Sequence, residues 1–467
     1  MNFTDVRFWQ FLTAGVAAIF LLRFLVQKTW PAVLDRFDKS ALLGLGLFLL
    51  SQVSWVTFLI FIAVALGSYL GLSCILRRPE QERRAYLWLL IPLQLAPLAY
   101  YKYANFVCNQ LLGFRYDTLR DLVIPVGISF YTFQKVAFVL DTIAFKQPLP
   151  AVLDYLNFAG FFPQIVAGPI ERRRDLLPQM ANFRFRWLPG EIDAAVPWIV
   201  IGLFFKCCLA DNLAVYFDPQ SRTNPFSIWL ANLLFGLRIY YDFAGYSLIA
   251  FGLARALGVR LTLNFVSPYC ATSIVEFWRR WHVTLSQWFR DYLYVPLGGG
   301  RVRTWPLNVA LVFAVSGVWH GAGWNFILWG ALHGGYLIVN RLYGPRLKPA
   351  AWIGWLLTML GCFVAWLCFY ELNTGVLLAK LKTLGTPAGY SVAALRGAFN
   401  RWPPADQIVL ATFVMLATVT LLFEWRSVTN GREAYGWLRR PAALVVLVVL
   451  TVLLAPARNN GFIYFNF

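Results

Sequence analysis

The chain has 467 residues, of which 59% are hydrophobic and only 13% charged, and it carries a net charge of +19. Soluble domains hold about 25% charged residues, so the composition excludes an ordinary globular protein of this length. The positive charge does not point to nucleic acid, because the basic residues stand in short clusters between apolar runs, as at Arg77–Arg78, Arg83–Arg84 and Arg172–Arg174. That placement fits the loop bias of Lys and Arg in membrane proteins, and no nucleic-acid partner is expected.

A membrane-spanning helix needs about 17–25 largely apolar residues. In chain order the candidates are 8–26, 41–57, 58–76, 86–106, 122–144, 193–216, 226–254, 306–329, 328–345, 351–372, 406–424 and 441–457. The opening MNFTDVRFW lacks the basic region and small-residue cleavage site of a removed leader, so the first run is read as a retained helix. Run 41–76 is too long for one helix. Folded as a hairpin, it puts the basic flanks 35–39 and 77–84 on one side, the cytoplasmic one. Runs 306–329 and 328–345 meet around HGAGWN.

Three further stretches are apolar but broken. Residues 152–180 contain Pro163, Gly168, Pro169 and Pro178, and 261–275 form a polar-dotted linker. In 276–297, Glu276, Arg280, Gln287 and Asp291 follow approximate helical spacing, while Phe277, Trp281, Leu285, Trp288 and Tyr292 follow another face. An amphipathic helix that does not span is expected there. Irregular backbone at membrane depth is tolerated only inside protein or beside a wet cavity, so an enclosed cavity is expected. The fold class that follows is an all-α polytopic membrane protein. It has about ten to twelve transmembrane helices plus re-entrant or amphipathic ones, in a single domain over 1–467.

All three histidines, His282, His320 and His333, fall between positions 282 and 333. An ionisable group at bilayer depth is expensive and is read by default as functional. His282 stands in WRRWHVTLS, four residues before Ser286. Arg279, Arg280 and Trp281 around it suit a bulky anionic ligand beside a proton acceptor. They equally suit an interfacial helix whose arginines snorkel to head groups. His320 stands in SGVWHGAGWN. Glycines 317, 321 and 323 are read as clearing room beside the imidazole for a substrate, with helix packing as the alternative. His333, in WGALHGG, is 13 positions on and about 220° round an unbroken helix, and is read as structural or supporting. Gln134 and Asp242 are read as buried hydrogen-bond partners holding helices in register.

The histidines are 38 and 13 positions apart, far from the close pairs of zinc sites, and no metal is expected. The seven cysteines are scattered without metal or disulfide spacing. No nucleophile elbow or phosphate-binding loop is present.

PVGISFYTFQK (125–135), FFPQIVAGPIERR (161–173), YYDFAGYS (240–247), EFWRRWHVTLSQWFRDYLYVPLGG (276–299), VWHGAGWNFILWGALHG (318–334) and FIYFNF (462–467) together resemble the membrane-bound O-acyltransferase family. Within it they look most like the bacterial branch that serves alginate O-acetylation and wall D-alanylation. The chain departs from many relatives at Leu248, where they carry an acidic residue, and at 300–303.

The resemblance implies helices around a funnel and tunnel, with core motifs over 125–334. It makes His320 the near-universal family histidine, and His282 the second position, often asparagine in eukaryotic relatives. As an expectation, His320 is the general base and His282 orients or polarises. Arg279, Arg280, Trp281, Ser286, Arg290, Asp291, Trp319 and Asn325 are candidates for holding substrate or donor. The expected donor is acyl-CoA, with acetyl-CoA as the first choice. The expected setting is the inner membrane of a bacterium, with a periplasmic acyltransferase partner and exopolysaccharide machinery. Two other readings are D-alanyl transfer to teichoic acid and a proton-coupled transporter, although the inverted repeats of many transporters are not visible.

Overall fold

The computed structural model describes residues 3–114, 116–119, 122–347, 349–456 and 461–463, and these form helices and connecting turns, with no strand among them. The last four residues of FIYFNF, 464–467, lie outside the described residues. Two compact units result: Met1–Ile199 with Ser247–Leu263, and Val200–Tyr246 with Asn264–Phe467.

Among the described residues five helices are long and apolar enough to cross a membrane: Val6–Thr29, Trp55–Leu76, Pro189–Val215, Ala351–Tyr370 and Pro404–Thr429. Trp305–His320 and Pro441–Leu454 are apolar but shorter. The long hydrophobic run 41–76 does divide in two. Leu34–Ser51 and Trp55–Leu76 are separated at Ser54, whose hydroxyl caps the second helix by accepting the Thr57 N–H.

The first unit is tied together by buried polar groups on apolar helices. Gln134, on Ile128–Ala144, donates to the Phe158 carbonyl at 3.3 Å, and Gln164 donates to the same oxygen at 3.0 Å. Lys39 pairs with Asp154 at 2.9 Å. Gln134 thus bonds from the Ile128–Ala144 helix to a carbonyl of the Val152–Gly160 helix.

In the second unit one break falls where the sequence places it and one segment differs from expectation. The chain breaks after His320, inside HGAGWN, so Trp305–His320 and Trp324–Leu347 form a hairpin joined at 321–323. Segment 276–297 is not one amphipathic helix. It is Ile274–Arg280, then Val283–Phe289, then a π-turn over Arg290–Tyr294. Seven residues rise only about 10 Å, a third of the hydrocarbon thickness, so neither helix spans.

The hairpin is held by contact between backbones. A Cβ on Gly317 would strike the Phe326 carbonyl oxygen, and one on Gly330 the Phe313 carbonyl oxygen. Asn325 at the second helix's start donates to the Cys368 carbonyl at 3.0 Å, fastening the hairpin to Ala351–Tyr370.

Candidate active site

His320 ends the Trp305–His320 helix and is 3% exposed. Rings surround it: Trp319 at 4.9 Å, Trp329 at 4.7 Å and Phe369 at 5.2 Å between centroids. The neighbouring glycines do not clear room for a substrate, contrary to expectation. The space beside Gly317 and Gly321 is filled by Phe326, and that beside Gly323 by Asn325. They are glycines of close packing, and they set the imidazole's position by letting the hairpin close.

His282 sits at the break between the two short helices, fully buried, with φ 44° and ψ 54°. A left-handed conformation in a residue with a Cβ costs roughly 1–3 kcal/mol and persists only where neighbours enforce it. Asn264 enforces it. Its backbone carbonyl accepts the Val283 N–H at 2.9 Å, and its side-chain oxygen accepts the Thr284 N–H at 3.2 Å and hydroxyl at 2.9 Å. The same side-chain oxygen lies 3.2 Å from His282 Nδ1. Phe243 packs on the imidazole at 4.8 Å.

The third histidine belongs to the same cluster. The break at 321–323 means that no unbroken helix links it to His320. Trp329 lies 4.7 Å from His320 and 4.8 Å from His333. Trp319 likewise lies 6.1 Å from His282 and 4.9 Å from His320. The three imidazoles are thus joined by two indoles into one succession of rings. His333 is fully buried and is further enclosed by Phe277, Trp278, Phe313 and Tyr336.

Beyond Trp278, Phe313 and Tyr336 opens a cavity of about 1230 Å³, of which these three rings form part of the wall. Its other lining includes Arg279, Ser286, Gln287, Arg290 and Arg341. Its volume is somewhat above the usual range for small-ligand pockets, about 300–1,000 Å³. Arg279 and Arg290 therefore reach the cavity, although Arg290 also pairs with Asp291 at 2.7 Å.

Arg280 is not among the cavity's lining residues. It pairs with Glu276 at 2.8 Å and donates to the Val266 carbonyl at 3.1 Å. Burial opposes the charge on Glu276, yet bonds from Thr272 and Arg280 hold its carboxyl below the ordinary range. Trp281 is packed between Phe277, Trp366 and Phe265. Ser286 lines the cavity while donating to the Trp281 carbonyl at 3.3 Å.

Asp242 lies 2.9 Å from Lys206 Nζ and accepts the Ile463 N–H at 2.6 Å, and Lys206 also pairs with Asp211 at 2.7 Å. Phe462 packs on Phe243 at 5.4 Å, and Phe243 is the ring against His282. The C-terminal motif and YYDFAGYS are thus in contact.

Sequence reasoning missed Asn264, Lys206 and Arg341. Asn264 was visible only as one polar residue of a linker. Lys206 was a charge inside an apolar run, which is itself a signal. Among the described residues no group of three or more His, Cys, Asp or Glu side chains is placed to hold a metal ion.

The model of the membrane-bound O-acyltransferase family matches residues 45–379. A peptidoglycan O-acetyltransferase of Helicobacter pylori is 29% identical over 99% of this chain and 97% of its own. A probable alginate O-acetylase, AlgI, of Pseudomonas putida is 32% identical over 86% of this chain and 88% of its own. A teichoic acid D-alanyltransferase of Bacillus subtilis is 28% identical over 50% of this chain and 63% of its own. With the family model covering the hairpin, the histidine cluster and most of the helices, the chain belongs to the membrane-bound O-acyltransferase family and is a multi-pass O-acyltransferase.

Proposed function

We propose that the protein moves an acetyl group from a cytosolic thioester across the bacterial inner membrane for O-acetylation of an exported polysaccharide, acting with a periplasmic acyltransferase partner. The observation that carries this reading is the succession of rings from the arginine-lined cavity through His333 and Trp329 to His320. Arg279, Arg290 and Arg341 suit the phosphates of acetyl-CoA or of a carrier-protein prosthetic arm, since guanidinium pairs well with phosphate. The acetyl group is favoured because the relatives matched over most of their length are named O-acetyltransferase or O-acetylase. The D-alanyltransferase matches only half of the chain.

In the reaction an acceptor hydroxyl attacks the thioester carbonyl. His320 takes the hydroxyl proton as the new C–O bond forms. The tetrahedral intermediate collapses, the C–S bond breaks, and the thiolate leaves and recovers a proton from the imidazolium. His282 orients or polarises the reacting group. Burial of both imidazoles among rings keeps water from competing with the acceptor.

Mass spectrometry of cell-surface polymers with and without the protein tests the reading. Loss of O-acetyl esters is expected. Loss of D-alanyl esters with acetyl esters intact would replace it with the D-alanyl alternative, and no change in either would overturn it.

A further inference from the structure

We propose that Asn264 fixes the tautomer of His282, placing the imidazole proton on Nδ1 and the lone pair on Nε2. The Thr284 backbone N–H can only donate, and it points at the Asn264 side chain at 3.2 Å. The amide atom facing it must therefore be the oxygen, because the opposite flip would set an NH₂ against an N–H. The Thr284 hydroxyl, 2.9 Å away, then donates to the same oxygen.

His282 Nδ1 meets that oxygen at 3.2 Å. An amide oxygen cannot donate, and a lone pair on Nδ1 would face the oxygen's lone pairs without relief in a fully buried setting. Nδ1 therefore carries the hydrogen, and the acceptor nitrogen is Nε2. The backbone secures the arrangement from both sides of the break. Val283 donates to the Asn264 carbonyl at 2.9 Å, and Val266 donates to the Arg280 carbonyl at 2.9 Å. Asn264 is thus a positioning residue, acting through the ring it orients. The tautomer rests on this geometry alone, whereas its consequence for acyl transfer rests on the function proposed above.

The chain has only three histidines, which makes a direct test practicable. Protein labelled with ¹⁵N-histidine and reconstituted in nanodiscs is compared with His282→Asn to assign the His282 ring signals. A protonated Nδ1 and an unprotonated Nε2 are expected, with a mixture of tautomers in Asn264→Ala. A protonated Nε2 in the wild type, or an unchanged spectrum in Asn264→Ala, overturns the proposal.

In acyl transfer, Asn264→Ala is expected to lose about 10–100-fold, by analogy with residues that orient a metal-bound imidazole. Asn264→Asp keeps the acceptor oxygen and should recover most of that loss. Its carboxylate favours the imidazolium, so the His282 ring should titrate about 1–3 units higher, read from the same ¹⁵N signals. An unmoved His282 titration in this variant overturns the proposal even if the alanine variant fails to fold. Wild-type protein with the expected tautomer but no acyl transfer would count against the proposed function and not against this assignment.

Discussion

Replacing Asp242 with alanine should release the C-terminal segment from the second unit. The carboxylate accepts the Ile463 N–H at 2.6 Å while facing Lys206 at 2.9 Å, and all three groups are buried. A hydrogen bond to a charged group contributes about 1.5–3 kcal/mol, so its loss should raise the undocked fraction by about 10- to 150-fold. Lys206 retains Asp211 at 2.7 Å, so the variant should still fold. Asp242→Asn keeps an acceptor and should fall between the two. Ile463→Cys, placed in a background with the more accessible Cys74 and Cys108 changed to serine, reports the docking through its rate of maleimide labelling. If the cysteine at 463 reacted at one rate in all three proteins, Asp242 would not be the anchor and the reasoning would fail.

The closure of the histidine hairpin should be equally sensitive. Gly317→Val and Gly330→Val would drive a side chain into facing backbone, where overpacking costs about 1–3 kcal/mol or more, and should lower the yield of monodisperse protein in size-exclusion chromatography. Arg279→Ala and Arg341→Ala should raise KM for the acyl donor with kcat little changed. Arg280→Ala should instead lower thermal stability, because its guanidinium is engaged by Glu276 and Val266. Cysteines placed in 77–85 should resist impermeant reagents in intact cells, and ready labelling there would reverse the assigned orientation.

What the sequence made legible was local or periodic. Apolar runs located the long helices, and an ionisable residue within such a run marked the histidine region. The histidine assembly itself depended on where the backbone turns. The interruption at HGAGWN was legible, but a wheel drawn through it as one unbroken helix set His333 apart from His320, although one indole touches both. The glycines near His320 were read as open space because a sequence shows which side chain is missing but not what fills the gap; Phe326 fills it. Partners distant in sequence were out of reach for the same reason. Asn264 meets His282 across 18 positions, and Asp242 meets Ile463 across 221.

The central claim is that a proton passes through His320 during acyl transfer. Asparagine keeps much of the imidazole's bulk and a hydrogen bond, but cannot accept a proton at neutral pH. Purified His320→Asn, monodisperse and as stable as the parent, should transfer acetyl groups from a thioester donor about 10²–10⁴ times more slowly. A rate near that of the parent would contradict the account.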